Sequence, residues 1–461
     1  MKKRLLEIRH HGHLFAAQVV REQLHLSRIT FWVAAVLAAC VSVFFAQVFQ
    51  GAEVLRGLVL SWSPWLIFLI CPVACLISWV IVRRFAPGAS GSGIPQVLAA
   101  VEVGGGEIPP ERLAMVLSPR ILVIKILATL IAVFGGAAIG REGPTIQIAA
   151  GVFLIFGLGF RRFFPNSDLR SWMVGGASAG LAAAFNTPLG GIVYAIEEVG
   201  SAYFHRFKSQ VLVAVILAGV VSQAMVGNYL YIGDPRFETT SPWTFLVVFI
   251  VALLSGLAGG GMARALSAGS KFYGQLVERK KEFPFVLLMI ALMTILAWLV
   301  PEAAGAGRDA ISKILFESWS PDFLSVIGRV LGPVLSYFAV GAGGIFAPSL
   351  SAGAVVGASI AEWMQIPNVN LCALVGMTAF LAGVTRTPFT AFILVLEMTN
   401  RHTVIFFLML AALVGNRIAA ICFGNQGFYE IAMHGWVKRL NPEATSSPSS
   451  PVGPAGQKQM I

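Results

Sequence analysis

The chain has 461 residues, of which 57% are hydrophobic and only 12% charged, and its mean hydropathy is +0.78. Soluble domains carry about a quarter charged residues, so these totals exclude a water-soluble globular protein and predict an all-α, polytopic membrane protein. The formal charge of +11 does not mark a nucleic-acid binder, because the basic residues stand in short clusters at the ends of apolar runs, where cytoplasmic loops collect them.

Residues 1–28, with Lys2, Lys3, Arg4, Arg9, Arg21 and Arg28, read as a basic amphipathic helix at the cytoplasmic face. The opening MKKRLLEIRHHGH is too polar and too long for a cleaved signal peptide. Apolar stretches at 29–50 and 63–82 then cross out and back, and Arg83 with Arg84 close the second, which places the N-terminus in the cytoplasm. Stretches 243–262 and 285–300 are of the same length class. By contrast, 144–158, 171–185 and 188–199 are short; at about 1.5 Å per residue they cover roughly two-thirds of a hydrocarbon core near 30 Å. They read as broken helices. Interrupted backbone is tolerated at membrane depth only where it is buried in protein or lines a wet cavity, so these pieces imply a pathway. Residues 441–461, NPEATSSPSSPVGPAGQKQMI, read as a disordered tail.

The membrane region repeats itself. VGGASAGLAAAFNTPLGGIVYAIEE (174–198) aligns with VGMTAFLAGVTRTPFTAFILVLEMT (375–399) at an offset of 200, so that Gly176, Leu181, Thr187, Pro188 and Glu197 meet Gly376, Leu381, Thr387, Pro388 and Glu397. Two halves follow, 29–240 and 241–440, of the kind that in secondary transporters places a binding site at their interface. The first-half helix ends in Arg161 and Arg162 while its counterpart ends in the uncharged MQIPNVN, which favours an inverted repeat.

Five cysteines, Cys40, Cys71, Cys75, Cys372 and Cys422, all lie in apolar segments and read as packing residues without disulfides. Cys71 and Cys75 share a helix face, but no histidine or carboxylate stands near them in the sequence, and His10, His11 and His13 belong to the basic terminus; no metal site is expected.

Three glycine-proline turns interrupt the apolar background: GSGIP at 91–95, GREGP at 140–144 and GGIFAP at 343–348. Glycine allows close backbone approach and proline suits a first helical turn, so each turn would aim helix N-terminal amides at a ligand. Such ends carry about half a positive charge and free donors. Converging at the midplane, they would stabilise a desolvated anion without a full countercharge to trap it. The alternative, glycines for tight helix packing, accounts for one such turn better than for three.

These motifs in this order, together with Tyr429 in GFYEIAM, resemble the signatures of the CLC family of chloride channels and proton-coupled chloride exchangers over about residues 29–440. The resemblance implies an inverted repeat of two halves with tilted and broken helices. It implies that Ser92 and Tyr429 donate hydroxyls to chloride, that Ile345 and Phe346 offer backbone amides, and that Glu142 is a gating glutamate whose ionised carboxylate competes with chloride until a proton releases it. Glu198 resembles the intracellular proton-transfer glutamate of family exchangers, and Lys125 and Arg120 resemble basic residues of the same helix. For Lys125 a buried cation and a side chain snorkelling to the interface remain equal alternatives. Gln96 departs from the glutamate that usually follows GSGIP. Ser92 favours chloride over fluoride within the family.

The expected function is therefore proton-coupled chloride antiport, with a passive chloride channel of the same fold as the alternative. No cofactor is expected, and the expected partners are chloride ions, protons, the lipid bilayer and a second copy in a homodimer. The expected location is a bacterial inner membrane. A nucleotide-driven pump is disfavoured: in GGAAIGRE the lysine and hydroxyl positions of a phosphate loop are Arg141 and Glu142.

Overall fold

The computed structural model describes residues 2–104, 109–163, 168–199, 204–227, 230–237, 243–399 and 402–442, with side chains from Arg28 onward and, after residue 203, from Lys208. The side chains of His10, His11 and His13 and the tail beyond residue 442 lie outside the described residues. In chain order the helices are α1 (Lys2–Trp62), α2 (Ile67–Phe85), α3 (Ile94–Val103), α4 (Pro110–Leu117), α5 (Pro119–Phe134), α6 (Glu142–Phe163), α7 (Leu169–Phe185), α8 (Pro188–Tyr194) and α9 (Phe204–Val226). There follow α10 (Thr244–Glu278), α11 (Glu282–Leu299), α12 (Arg308–Phe316), α13 (Phe323–Ala339), α14 (Phe346–Trp363), α15 (Val369–Thr385), α16 (Pro388–Thr399), α17 (Ile405–Phe423) and α18 (Phe428–Leu440). Among the described residues, eight stretches are long and apolar enough to cross a membrane.

Two expectations change. α1 runs without interruption from Lys2, so the basic segment continues directly into the first span. α6, read as a short piece, is a 22-residue helix that continues through Gly151, Gly157 and Gly159 to Phe163. Gly151 and Gly157 face neighbours instead of breaking it: Leu122 and Trp172 lie where side chains on them would have to go.

α7 and α15 form the centre, buried along nearly their whole length. Each has 17 residues and each ends on a left-handed residue, Asn186 (φ 57°) and Arg386 (φ 65°), again 200 positions apart. α7 packs on α6 and α15 on α14, with Gly376 in direct backbone contact with Gly353 and Gly357. In lipid, where apolar burial drives little association, such small-residue contacts are what hold helices together.

The repeat is inverted. α6 ends where α1 enters, since Phe153 and Trp172 both pack against Phe31, at ring separations of 5.0 and 5.2 Å. α14 ends at the other side: its Glu362 bonds Ser320 and its Ser359 donates to the Pro321 carbonyl at 3.2 Å, just before α13 begins. α13 in turn finishes beside Gly341, which lies against Ser78 and Val82 near the Arg83 end of α2.

The two halves cap each other. Glu397 of α16 accepts hydrogen bonds from the Leu189 and Gly190 amides at the start of α8, at 2.9 and 2.7 Å. Glu197 accepts from the Phe389 and Thr390 amides at the start of α16, at 3.0 and 2.6 Å, and from the Thr390 hydroxyl at 2.7 Å. A carboxylate at a helix N-terminus satisfies orphan donors and meets the positive end of the dipole. Glu397→Ala is expected to remove about 1–2 kcal/mol, read as a fall in the thermal midpoint in detergent. Glu397→Gln, which keeps one acceptor, should lose less.

Candidate functional site

The three glycine-proline turns meet. Gly91 donates to the Gly341 carbonyl at 3.0 Å and its own carbonyl accepts from Gly343 at 3.0 Å. Gly140 and Gly344 exchange amide bonds at 2.7 and 2.9 Å. The GGIFAP turn is thus bonded to both others, and these short bridges bring the N-termini of α3, α6 and α14 to one place. At that place Gly143 faces Ser92 and Gly344 faces Gly143, each so closely that only glycine fits.

α3 starts on Gly93, whose φ of 102° is the left-handed geometry that glycine adopts without penalty. Neither Gly93 nor Ile345, the residue before α14, supplies a side-chain cap. The first amides of those helices therefore stay available to something other than their own chain. A fourth terminus joins them. α18 starts after Gly427, also without a side-chain cap, packs along α3, and carries Tyr429 on its first turn.

Every residue singled out at the turns is buried: Ser92, Glu142, Ile345, Phe346 and Tyr429 are at most 1% exposed. The hydroxyls of Ser92 and Tyr429 lie near enough to interact, yet neither makes a hydrogen bond of ordinary geometry, and both oxygens of Glu142 are likewise without a partner. The Glu142 carboxylate sits beside the Ala347 amide of α14 and within electrostatic range of Arg141. Buried polar groups are nearly always hydrogen-bonded. Two unpartnered hydroxyls among uncapped helix termini are donors suited to a small anion, and the Glu142 carboxylate, itself an anion, stands among the same termini.

The turns are held from behind. Lys125 is fully buried and donates to the carbonyls of Ala89 and Gly91 at 2.9 and 2.6 Å, so it braces the GSGIP turn instead of snorkelling. Gln96 donates to Ser90 and Gly88 carbonyls at 2.5 and 3.3 Å, and Gln147 to those of Gly88 and Val116 at 3.0 and 2.8 Å. The amide at position 96 therefore serves main-chain carbonyls. Arg120 is exposed at the start of α5, away from this cluster.

Glu198 lies elsewhere. After α8 the chain widens into a π-helical turn, Ala195–Val199, in which Glu197 caps α16, whereas Glu198 lies within electrostatic range of Tyr194, Glu430 and Tyr429. Such π-turns often mark functional positions. In the second half α16 stays α-helical and has Met398 at the corresponding place. Tyr194, buried with an unpartnered hydroxyl, is within electrostatic range of both Glu198 and Tyr429, and Tyr429 in turn senses Glu142. Sequence reasoning missed Tyr194, the Ala347 amide and the fourth helix terminus; the glycine before Phe428 was the available signal for the last.

Cavities approach from both sides. One of about 660 Å³ reaches Ser90, Gly91 and Phe428, the neighbours of Ser92 and Tyr429, from the Arg83 side; Lys271, His434, Lys438 and Arg439 line it. Another of about 520 Å³ reaches Arg141, the neighbour of Glu142, from the opposite side.

A family model described as voltage gated chloride channel matches residues 74–420, a span that ends before Gly427 and α18. The "H(+)/Cl(-) exchange transporter ClcA" of Vibrio cholerae serotype O1 (strain M66-2) is 30% identical over 423 residues, covering 87% of this chain and 88% of that protein. Its namesake from Vibrio parahaemolyticus serotype O3:K6 is 30% identical over 383 residues, covering 80% and 79%. Among solved structures, "a slow cyanobacterial Cl-/H+ antiporter" superposes with a TM-score of 0.74 at 25% identity, covering 90% of this chain and 98% of the other.

Proposed function

The chain belongs to the voltage gated chloride channel family, and from that premise we propose that it is a proton-coupled chloride antiporter in which Glu142 gates the anion path. The observation that carries the reading is the set of uncapped helix termini gathered around the unpartnered oxygens of Ser92, Tyr429 and Glu142.

In this reading chloride accepts hydrogen bonds from the hydroxyls of Ser92 and Tyr429 and from the amides of Ile345 and Phe346. Ionised, the Glu142 carboxylate is itself an anion and takes the same kind of donors, the Ala347 amide among them. Protonated, it loses that attraction and yields the place to chloride. One site thus holds either a carboxylate or a halide, and proton movement becomes tied to chloride movement. Glu198 passes protons to and from the cytoplasmic side, with Tyr194 in range of Glu198 and Tyr429 in range of both glutamates. The chain works as a homodimer in a bacterial inner membrane with a cytoplasmic N-terminus, and the basic lining of the larger cavity concentrates anions at the inner mouth.

Coupling is tested in liposomes: an imposed chloride gradient should drive protons uphill. Chloride flux without proton movement would instead favour a passive channel. Glu198→Gln should abolish proton transport while chloride still passes; retained coupling in that variant would remove Glu198 from the route.

A further inference from the structure

The last residue of α8 carries a hydroxyl that the folded chain leaves unused. Tyr194 is 1% exposed, and its oxygen makes no hydrogen bond among the described residues. A buried phenol nearly always finds a partner. Within electrostatic range of it stand Glu198 and the hydroxyl of Tyr429, and Tyr429 in turn is within range of Glu142. Tyr194 and Glu198 are four residues apart along the helix, which places them on one side of it.

The surroundings are otherwise apolar. Tyr194 belongs to the same buried core as Ile94, Leu181, Ala182 and Phe346, a medium in which a bare charge is strongly disfavoured. Proton transfer there needs oxygen atoms about 3 Å apart, or one water between them.

The repeat supplies an independent sign. At the offset of 200, Tyr194 meets Leu394 and Glu198 meets Met398. Leu394 is fully buried, so an aliphatic side chain meets the packing need at this place in the second half. The phenol and the carboxylate thus occur together in the half that has the π-turn, and neither occurs in the half that stays α-helical there.

We propose that Tyr194 is a proton-transfer residue, its hydroxyl relaying protons between Glu198 and the chloride site. The inference rests on the antiport reading and adds a residue to its proton route. A phenol suits the step because it donates and accepts while remaining uncharged. The proton of Glu198 bonds to the Tyr194 oxygen as the phenol's own proton leaves toward the Tyr429 hydroxyl, which passes its proton to the Glu142 carboxylate. Each phenol gains one O–H bond as it loses another, so Glu198 ends ionised, Glu142 neutral and both tyrosines unchanged. Movement in the opposite direction reverses every step.

Tyr194→Phe keeps the ring and deletes the oxygen. In proteoliposomes under a chloride gradient its proton flux should fall at least about tenfold while chloride flux stays within about twofold of wild type, so the proton-to-chloride ratio falls with the proton flux. Tyr194→Leu, which installs the residue of the matching place in the second half, should lose the ratio in the same way. Chloride binding to the detergent-solubilised Tyr194→Phe protein, read by calorimetry, should match wild type, as should its thermal midpoint; a residue that only packed the core or shaped the chloride site would not split the two fluxes in this way. A wild-type ratio in Tyr194→Phe would overturn the proposal, and so would a lost ratio accompanied by weakened chloride binding. Absence of coupled flux in the wild type would instead overturn the antiport reading, so the two failures are told apart.

Discussion

Glu142→Ala uncouples the protein: in liposomes chloride still crosses, and a chloride gradient no longer moves protons. The variant removes the one carboxylate that sits beside the Ala347 amide among the gathered helix termini and leaves the donors untouched. Those donors stabilise the anion at every stage of passage, so chloride flux should stay within about tenfold of wild type, while proton flux falls to the leak of empty liposomes. Glu142→Gln should behave in the same way, because a neutral amide neither carries the proton nor competes as an anion. If the alanine variant still pumped protons at the wild-type ratio, the gate would lie elsewhere.

Gly143→Ala silences transport without touching any side chain that handles an ion. A β-carbon there would fall 2.7 Å from the Ser92 carbonyl oxygen and closer still to its hydroxyl. The GSGIP and GREGP turns would have to part by a good fraction of an ångström, and misplacement on that scale costs about a hundredfold where several groups must act together. Gly57→Ala is the control, since nothing lies within 4 Å of its added carbon. Transport by both variants at equal rates would mean that the close approach of the two turns does not matter.

Much of this was legible in the sequence because the signals are local. Glycine and proline at 91–95, 140–144 and 343–348 declare turns that open helices, and the offset of 200 declares the repeat. Ser92, Glu142, Ile345, Phe346 and Tyr429 are all buried. What was hidden depends on contacts between distant segments. The bridges from Gly91 to Gly341 and Gly343, and from Gly140 to Gly344, join positions that no periodicity links. Glu197 and Glu397 align in the repeat, but that each caps the other half's helix follows only from the crossing of α8 with α16. Lys125 could be placed either way from its helix, and the carbonyls of Ala89 and Gly91 decided it. α6 was read too short because the glycines after its apolar start look like breakers in one dimension; packed against Leu122 and Trp172, Gly151 and Gly157 are seams. The π-turn that separates Glu198 from Glu197 has no sequence signature of its own.

Crystals grown with bromide in place of chloride, with anomalous diffraction collected at the bromine edge, test the central claim most directly. The account predicts a peak in contact with the hydroxyls of Ser92 and Tyr429, and in Glu142→Gln crystals a further peak beside the Ala347 amide where the carboxylate had been. Bromide found only in the outer vestibules, with the space between Ser92 and Tyr429 empty in both proteins, would contradict it.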